Sequence, residues 1–200
     1  SIAPVTSNSM VIVAEVDNLG LTGVNDVISA TSSTLISGTS VVDTDPDDND
    51  TITITATDDI LGTATVSGIE TITFTTSATT LGGDYEFDVN LANISGSNTL
   101  NFENSNSNSL IKTLDLINVG LPISVGSHFS TIKLASQTDS DINLIISADT
   151  TLTTTGSSKD LSIDAGGKSV TLSSSTATQD IIINNTNNAD ITASSALRNL

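Results

Sequence analysis

Apolar and polar residues alternate along most of this chain, and the alternation predicts strands. Thr51-Ile-Thr-Ile-Thr-Ala-Thr57 places Ile52 and Ile54 on one face and threonine on the other, and Glu70-Thr-Ile-Thr-Phe-Thr-Thr76 repeats the scheme. A period of two marks a half-buried strand, because successive side chains point to opposite faces. Shorter segments of the same kind follow at Tyr85–Leu91, Thr99–Phe102, Thr113–Ile117, Thr131–Leu134, Ile142–Ile146, Leu161–Ile163, Val170–Leu172, Ile181–Ile183 and Ile191. Toward the C-terminus their apolar centres fall roughly 9–11 residues apart, with Gly, Asn, Asp or Ser between them, as expected of short strands joined by turns. No helical stripe at i, i+3, i+4 of useful length is present.

Short, regular strands of this type suit an all-β fold, either a parallel β-helix or a β-sandwich of jelly-roll kind. The β-helix is preferred because each segment offers two to four inward residues, because Asn, Ser and Thr fill the outward positions, and because aromatic residues and prolines are few. In such a solenoid every coil adds a few aliphatic side chains to a narrow interior, and neighbouring coils satisfy one another's backbone hydrogen bonds. Residues 1–42 read as an N-terminal β segment of two or three strands, and the run Met10–Val16 within it is free to pair with its own chain or with a neighbouring subunit. The stretch Asp43-Thr-Asp-Pro-Asp-Asp-Asn-Asp50 has no aliphatic or aromatic side chain and marks the boundary with a repeat domain spanning 43–200.

Composition sharpens this picture. Ser and Thr make up about a third of the 200 residues, aromatic residues only 2%, so the core is aliphatic and the surface rich in hydroxyls. Five Lys and Arg against 23 Asp and Glu give a formal net charge of -18. That balance argues against nucleic acid, whose affinity rests on cations at phosphates, and against an anionic membrane surface. An acidic surface of this density repels itself until cations screen it, which makes a divalent metal, Ca²⁺ first, the expected partner. The absence of Cys excludes disulfides and thiolate zinc sites. No apolar run is long enough for a transmembrane helix, and Ser1-Ile-Ala-Pro lacks a basic n-region, so the chain is expected to be a processed form or a piece of something longer.

The acidic run is the strongest local signal for chemistry. Asp43, Asp45, Asp47, Asp48 and Asp50, with the amide oxygen of Asn49, gather hard oxygen ligands of the kind Ca²⁺ selects. Their Asp-x-Asp-x-Asp spacing imitates the start of an EF-hand loop, but Asp48 stands where that loop needs Gly and Ile54 where it needs Glu. Asp58, Asp59 and Asp84 complete such a site only if the fold brings them near. Gly82-Gly-Asp84 and Asp164-Ala-Gly-Gly167 are similar to fragments of nonapeptide calcium-binding turns, and also read as plain glycine turns. His128 is the one histidine and lies in a turn-like run; Lys112, Lys133, Lys159, Lys168 and Arg198 are scattered. No catalytic residue and no organic cofactor site is nominated, and an enzyme is not expected. Three N-x-[ST] sequons, at Asn49, Asn93 and Asn184, are what chance gives in a chain of this composition.

The unit Val66-Ser-Gly-Ile-Glu-Thr-Ile-Thr-Phe74, preceded by Asp50-Thr-Ile-Thr-Ile54 and followed by degenerate strands to residue 200, resembles the repeat of bacterial surface-layer proteins and their calcium-binding, type I secreted relatives. The resemblance covers about residues 43–200. It implies a structural, self-assembling protein on the cell exterior: a β-helical, calcium-stabilised lattice or filament subunit with contacts between copies. The alternative is a carbohydrate- or host-binding adhesin whose Asn, Ser and Thr ladders meet a cell-surface glycan.

Overall fold

The computed structural model describes residues 7–12, 18–21, 23–45, 47–135, 141–155, 160–175 and 180–191. These residues are all-β, with no helix among them, and form a parallel β-solenoid of about eight turns. Its strands form three sheets. The first holds β1 (Ser7–Val11), β3 (Asn25–Thr31), β5 (Thr51–Ala56), β7 (Thr71–Thr76), β10 (Thr99–Asn104), β12 (Ile123–Val125), β14 (Ile142–Ile146), β16 (Leu161–Asp164) and β18 (Ile181–Asn184), in that spatial order. The second runs β8 (Glu86–Asn90), β11 (Thr113–Ile117), β13 (Thr131–Ala135), β15 (Thr150–Thr155), β17 (Ser169–Ser175) and β19 (Asn188–Ile191). A short third sheet, β2 (Asn18–Gly20), β4 (Ser40–Val42), β6 (Thr65–Ser67) and β9 (Ile94–Ser95), closes the N-terminal coils. Beyond β9 the coils pass from the second sheet directly to the first. All sixteen ladders between these strands are parallel, which sets aside the sandwich.

The period-two pattern becomes columns when coils stack in register. Ile28, Ile52, Ile72, Leu100, Ile123, Leu144, Ile163 and Ile183 are successive partners along the first sheet, spaced by the strand separation of about 4.8 Å. Beside them runs Ala30, Ile54, Phe74, Phe102, Val125 and Ile146, with the Phe74 and Phe102 rings stacked 4.8 Å apart and 3° from parallel. Phe87, Leu114, Ile132, Leu152 and Leu172 form the facing column on the second sheet. Nearly all of these side chains are buried, the Val, Leu, Ile and Phe among them each contributing about 1.5–3 kcal/mol from the area removed from water. Threonines occupy the outer face: Thr51, Thr53 and Thr55 stand beside Thr71, Thr73 and Thr75.

Strand β1 pairs with β3 of the same chain, β3 with β5 and β4 with β6, so the sheets run through position 43 without a break. Part of Met10–Val16, from residue 13 on, lies outside the described residues, as do Lys159 and Arg198. The corner between the third and first sheets is where coils differ most. Three residues, 68–70, bridge β6 to β7 and three, 96–98, bridge β9 to β10, whereas eight, 43–50, lie between β4 and β5. The acidic run is therefore a loop thrown out from one corner of the solenoid.

Candidate metal centre

Two glycines make room for this loop. Asp45 lies against Gly23 in the preceding coil, where a Cβ would stand 2.5 Å from its Oδ2. Gly68 in the following coil has φ +77°, and a Cβ there would stand 2.2 Å from the Asp43 carbonyl oxygen. Within the loop, Asp45 N–H donates to Asp43 Oδ2 (2.8 Å) and Asp47 N–H to Asp45 Oδ1 (3.0 Å), the Asx turns that Asp favours. Asn49 N–H donates to Asn25 Oδ1 (2.9 Å).

These turns fold the loop so that carboxylate oxygens of Asp43, Asp48 and Asp50 lie within 4.8 Å of one another. Asp43 is 6% exposed and Asp50 0%. Their Oδ1 and Oδ2 atoms respectively, and both carboxylate oxygens of Asp48, are enclosed without a hydrogen-bond partner. Asp45 is half-buried at the rim, while Asp47 and Asn49 are exposed. A cavity of about 240 Å³ lined by Asp43, Thr44, Asp45, Gly68, Glu70 and Gly96 adjoins the group.

Two members of the neighbourhood come from other coils. Asp50 Oδ1 accepts the N–H of Asp26 (2.7 Å), and Asp50 N–H donates to Glu70 Oε2 (2.7 Å). Asp26 is the second residue of β3, Asp50 and Glu70 immediately precede β5 and β7, and the register Val27, Thr51, Thr71 stacks the three acidic side chains in one column. Local sequence reasoning passes over Asp26 and Glu70, since they lie outside the acidic run. The signal that finds them is an acidic residue two positions before the first inward isoleucine of the strand, Ile28, Ile52 and Ile72, in three successive coils.

Crowding shows in the protonation energetics. Burial pushes the Asp50 carboxyl up to about 6 against the pull of the Asp26 N–H, with Asp48, Asp43 and Asp26 adding to the rise. Burial also raises Asp48, followed by the charges of Asp43, Asp45, Glu70 and Asp26. Among the described residues no ion pair reaches this loop, and no Lys or Arg precedes Lys112 in the sequence. Enclosed, unpartnered carboxylate oxygens cost free energy unless they are protonated or bind a cation. Their spacing fits one Ca²⁺, whose ligands at about 2.3–2.6 Å stand up to about 5 Å apart across the ion.

A second acidic group gathers on the outer face of the second sheet. Glu86, Asp88 and Asp115 bring oxygens within 4.8 Å, and Asp59 accepts the Asp88 N–H (3.0 Å). Asp84 accepts the N–H of Glu86 (2.9 Å), and Asp58 that of Gly82 (3.1 Å). Asp58, Asp59 and Asp84 thus collect beyond the C-terminal end of β5, away from the loop that precedes it. This group contains its own cation: Lys133 pairs with Glu86 across β11, and burial raises the Asp115 carboxyl with Lys133 offsetting only part of the rise. Burial still pushes Asp88 up to about 6, helped by Asp59 and Asp115.

The remaining sequence candidates take structural places. Asp164 accepts Gly166 N–H and the Asn185 side-chain amide, which lower its carboxyl, in a turn whose Gly166 and Gly167 have positive φ. His128 donates from Nδ1 to the Asn104 carbonyl beside a cavity of about 310 Å³.

Comparison with known proteins returns no match: no family model, no curated protein and no solved structure is similar to this chain.

Proposed function

We propose that this chain is a structural, self-assembling subunit of an extracellular layer, matrix or filament, stabilised by Ca²⁺ at the loop 43–50. The observation that carries the proposal is the trio Asp43, Asp48 and Asp50, enclosed, mutually close and without hydrogen-bond partners on four oxygens, in a part of the chain that has no basic residue. Such a site suits a compartment where calcium is abundant and the ion is a permanent component of the fold. The solenoid supplies what a building element needs, a stiff stack of coils with polar hydroxyl faces.

The glycan-binding alternative draws on those Thr faces. It lacks the ring platforms that sugars usually stack on: Tyr85 is exposed, but Phe74, Phe87, Phe102 and Phe129 are all buried.

Electron microscopy of the purified protein with and without Ca²⁺ tests the proposal. Ordered assemblies that form in calcium and dissolve on addition of a chelator are expected. Assemblies indifferent to chelation would remove the calcium part, and the absence of any ordered assembly in calcium would remove the structural role.

A further inference from the structure

We infer that the cation at loop 43–50 governs the folding of the N-terminal coils alone, dividing the solenoid into an ion-dependent segment through β7 and an ion-independent segment from β11 onward. The inference rests on the calcium reading above and adds which part of the molecule the ion controls.

Three observations support it. First, the site is built across coils. Asp26 in β3, Asp50 before β5 and Glu70 before β7 are joined by the two 2.7 Å bonds through Asp50, so an ion drawn to Asp43, Asp48 and Asp50 acts on three consecutive strands of the first sheet. Without it, the enclosed and unpartnered oxygens of Asp43, Asp48 and Asp50 repel one another at the junction of these strands.

Second, charge is divided the same way. Fifteen of the 23 acidic residues precede Lys112 with no Lys or Arg among them, whereas eight acidic and five basic residues occupy the rest. Later carboxylates meet a cation or solvent: Lys133 pairs with Glu86 and lies beside Asp115, Asp141 and Asp149 are exposed, Asp160 and Asp180 are half-buried, and beyond Asp88 no carboxylate oxygen of the described residues is enclosed without a hydrogen-bond partner.

Third, a solenoid permits segmental behaviour. Each coil contacts only its neighbours, so stability is a sum of local and nearest-neighbour parts, and one end can open while the other holds.

Hydrogen exchange of the full chain, read by mass spectrometry at neutral pH in calcium and in chelator, tests this alongside a calorimetric calcium titration. At free calcium of about 100 times the measured Kd, amides of β3, β5 and β7 should gain about 100-fold protection over the chelated protein, while those of β11, β13 and β15 stay level. Asp48→Asn, a half-buried change that leaves the core untouched, should abolish the calcium-induced gain in β3, β5 and β7. Calcium binding accompanied by a uniform gain along the chain, or by no gain, overturns the segmental inference and leaves the site standing. A flat titration overturns both.

Discussion

Replacing Asp50 by Asn should change stability in opposite directions with and without calcium. Asp50 is 0% exposed, and burial, with Asp48 and Asp43 beside it, pushes its carboxyl up to about 6. An acid with a higher pKa in the folded than in the unfolded chain binds more protons when folded, so its contribution to stability falls as pH rises from about 4 to about 6. The rise from 3.8 to about 6 spans roughly two units. At about 1.4 kcal/mol per unit, the ionised group costs the ion-free protein up to about 3 kcal/mol at pH 7. Asn retains an oxygen to accept the Asp26 N–H and carries no charge. In chelator the variant should therefore melt higher than wild type, by up to about 10 °C at roughly 2–4 °C per kcal/mol for a chain of this size. In calcium the order reverses: wild type gains about 2.7 kcal/mol at 100 times Kd, and the variant, short of one ligand, gains little. Thermal melts followed by circular dichroism in both buffers at pH 7 read the two effects. A variant that melts below wild type in chelator would refute the electrostatic reasoning, and one that gains as much from calcium as wild type would refute the assignment of Asp50 as a ligand.

The same titrations set a pH response. Because Asp50 and Asp88 are both pushed up to about 6, the chelated protein should lose stability as pH rises from about 4 to 6, whereas calcium affinity should rise over that window as protons leave the ligands. Chelated protein that becomes more stable between pH 4 and 7 contradicts this. Phe102→Ala should cost about 3–5 kcal/mol, with or without calcium, by opening a cavity beside Phe74; a loss under 1 kcal/mol in denaturant melts would mean that the stacked rings are not a packed core. Gly68→Ala, which combines a left-handed φ with a Cβ driven onto the Asp43 carbonyl, should destabilise by more than about 1–2 kcal/mol and weaken calcium binding, while Gly20→Ala, with open space around it, should do neither. Equal calorimetric affinities for the two variants would show that the loop does not depend on the space at Gly68.

Alternation made most of the solenoid legible in the sequence. Thr113–Ile117 and Ile142–Ile146 are strands with the bounds that the pattern gives, and Ile52, Ile54, Ile72 and Phe74 face inward as their spacing demands. The strands that pattern misses fail for physical reasons. β6 and β9 are three and two residues long and carry one apolar inward side chain each, too few to show a period. β15 hides its alternation because Thr150 and Thr154 are buried alongside Leu152, which puts threonine on both faces. In the candidate site, crowding nominates Asp43, Asp45, Asp47, Asp48, Asn49 and Asp50 together, and the fold brings carboxylate oxygens of Asp43, Asp48 and Asp50 within 4.8 Å of one another. Asp26 and Glu70 are not legible in this way, because their place depends on inter-coil register, and register links residues 20 to 24 positions apart that no local motif relates.

The first sheet takes its strands in strict chain order, so position in the sequence becomes height along the axis. The uneven placement of Lys and Arg therefore becomes an electric polarity: a rod strongly anionic at one end and close to neutral at the other. Two copies laid side by side head to tail set each strongly charged end beside a weakly charged one, whereas aligned copies oppose like with like. The rod carries an orientation preference before any specific contact is made, and cations that neutralise the anionic end weaken it, which makes the packing direction of neighbouring rods sensitive to the ions around them.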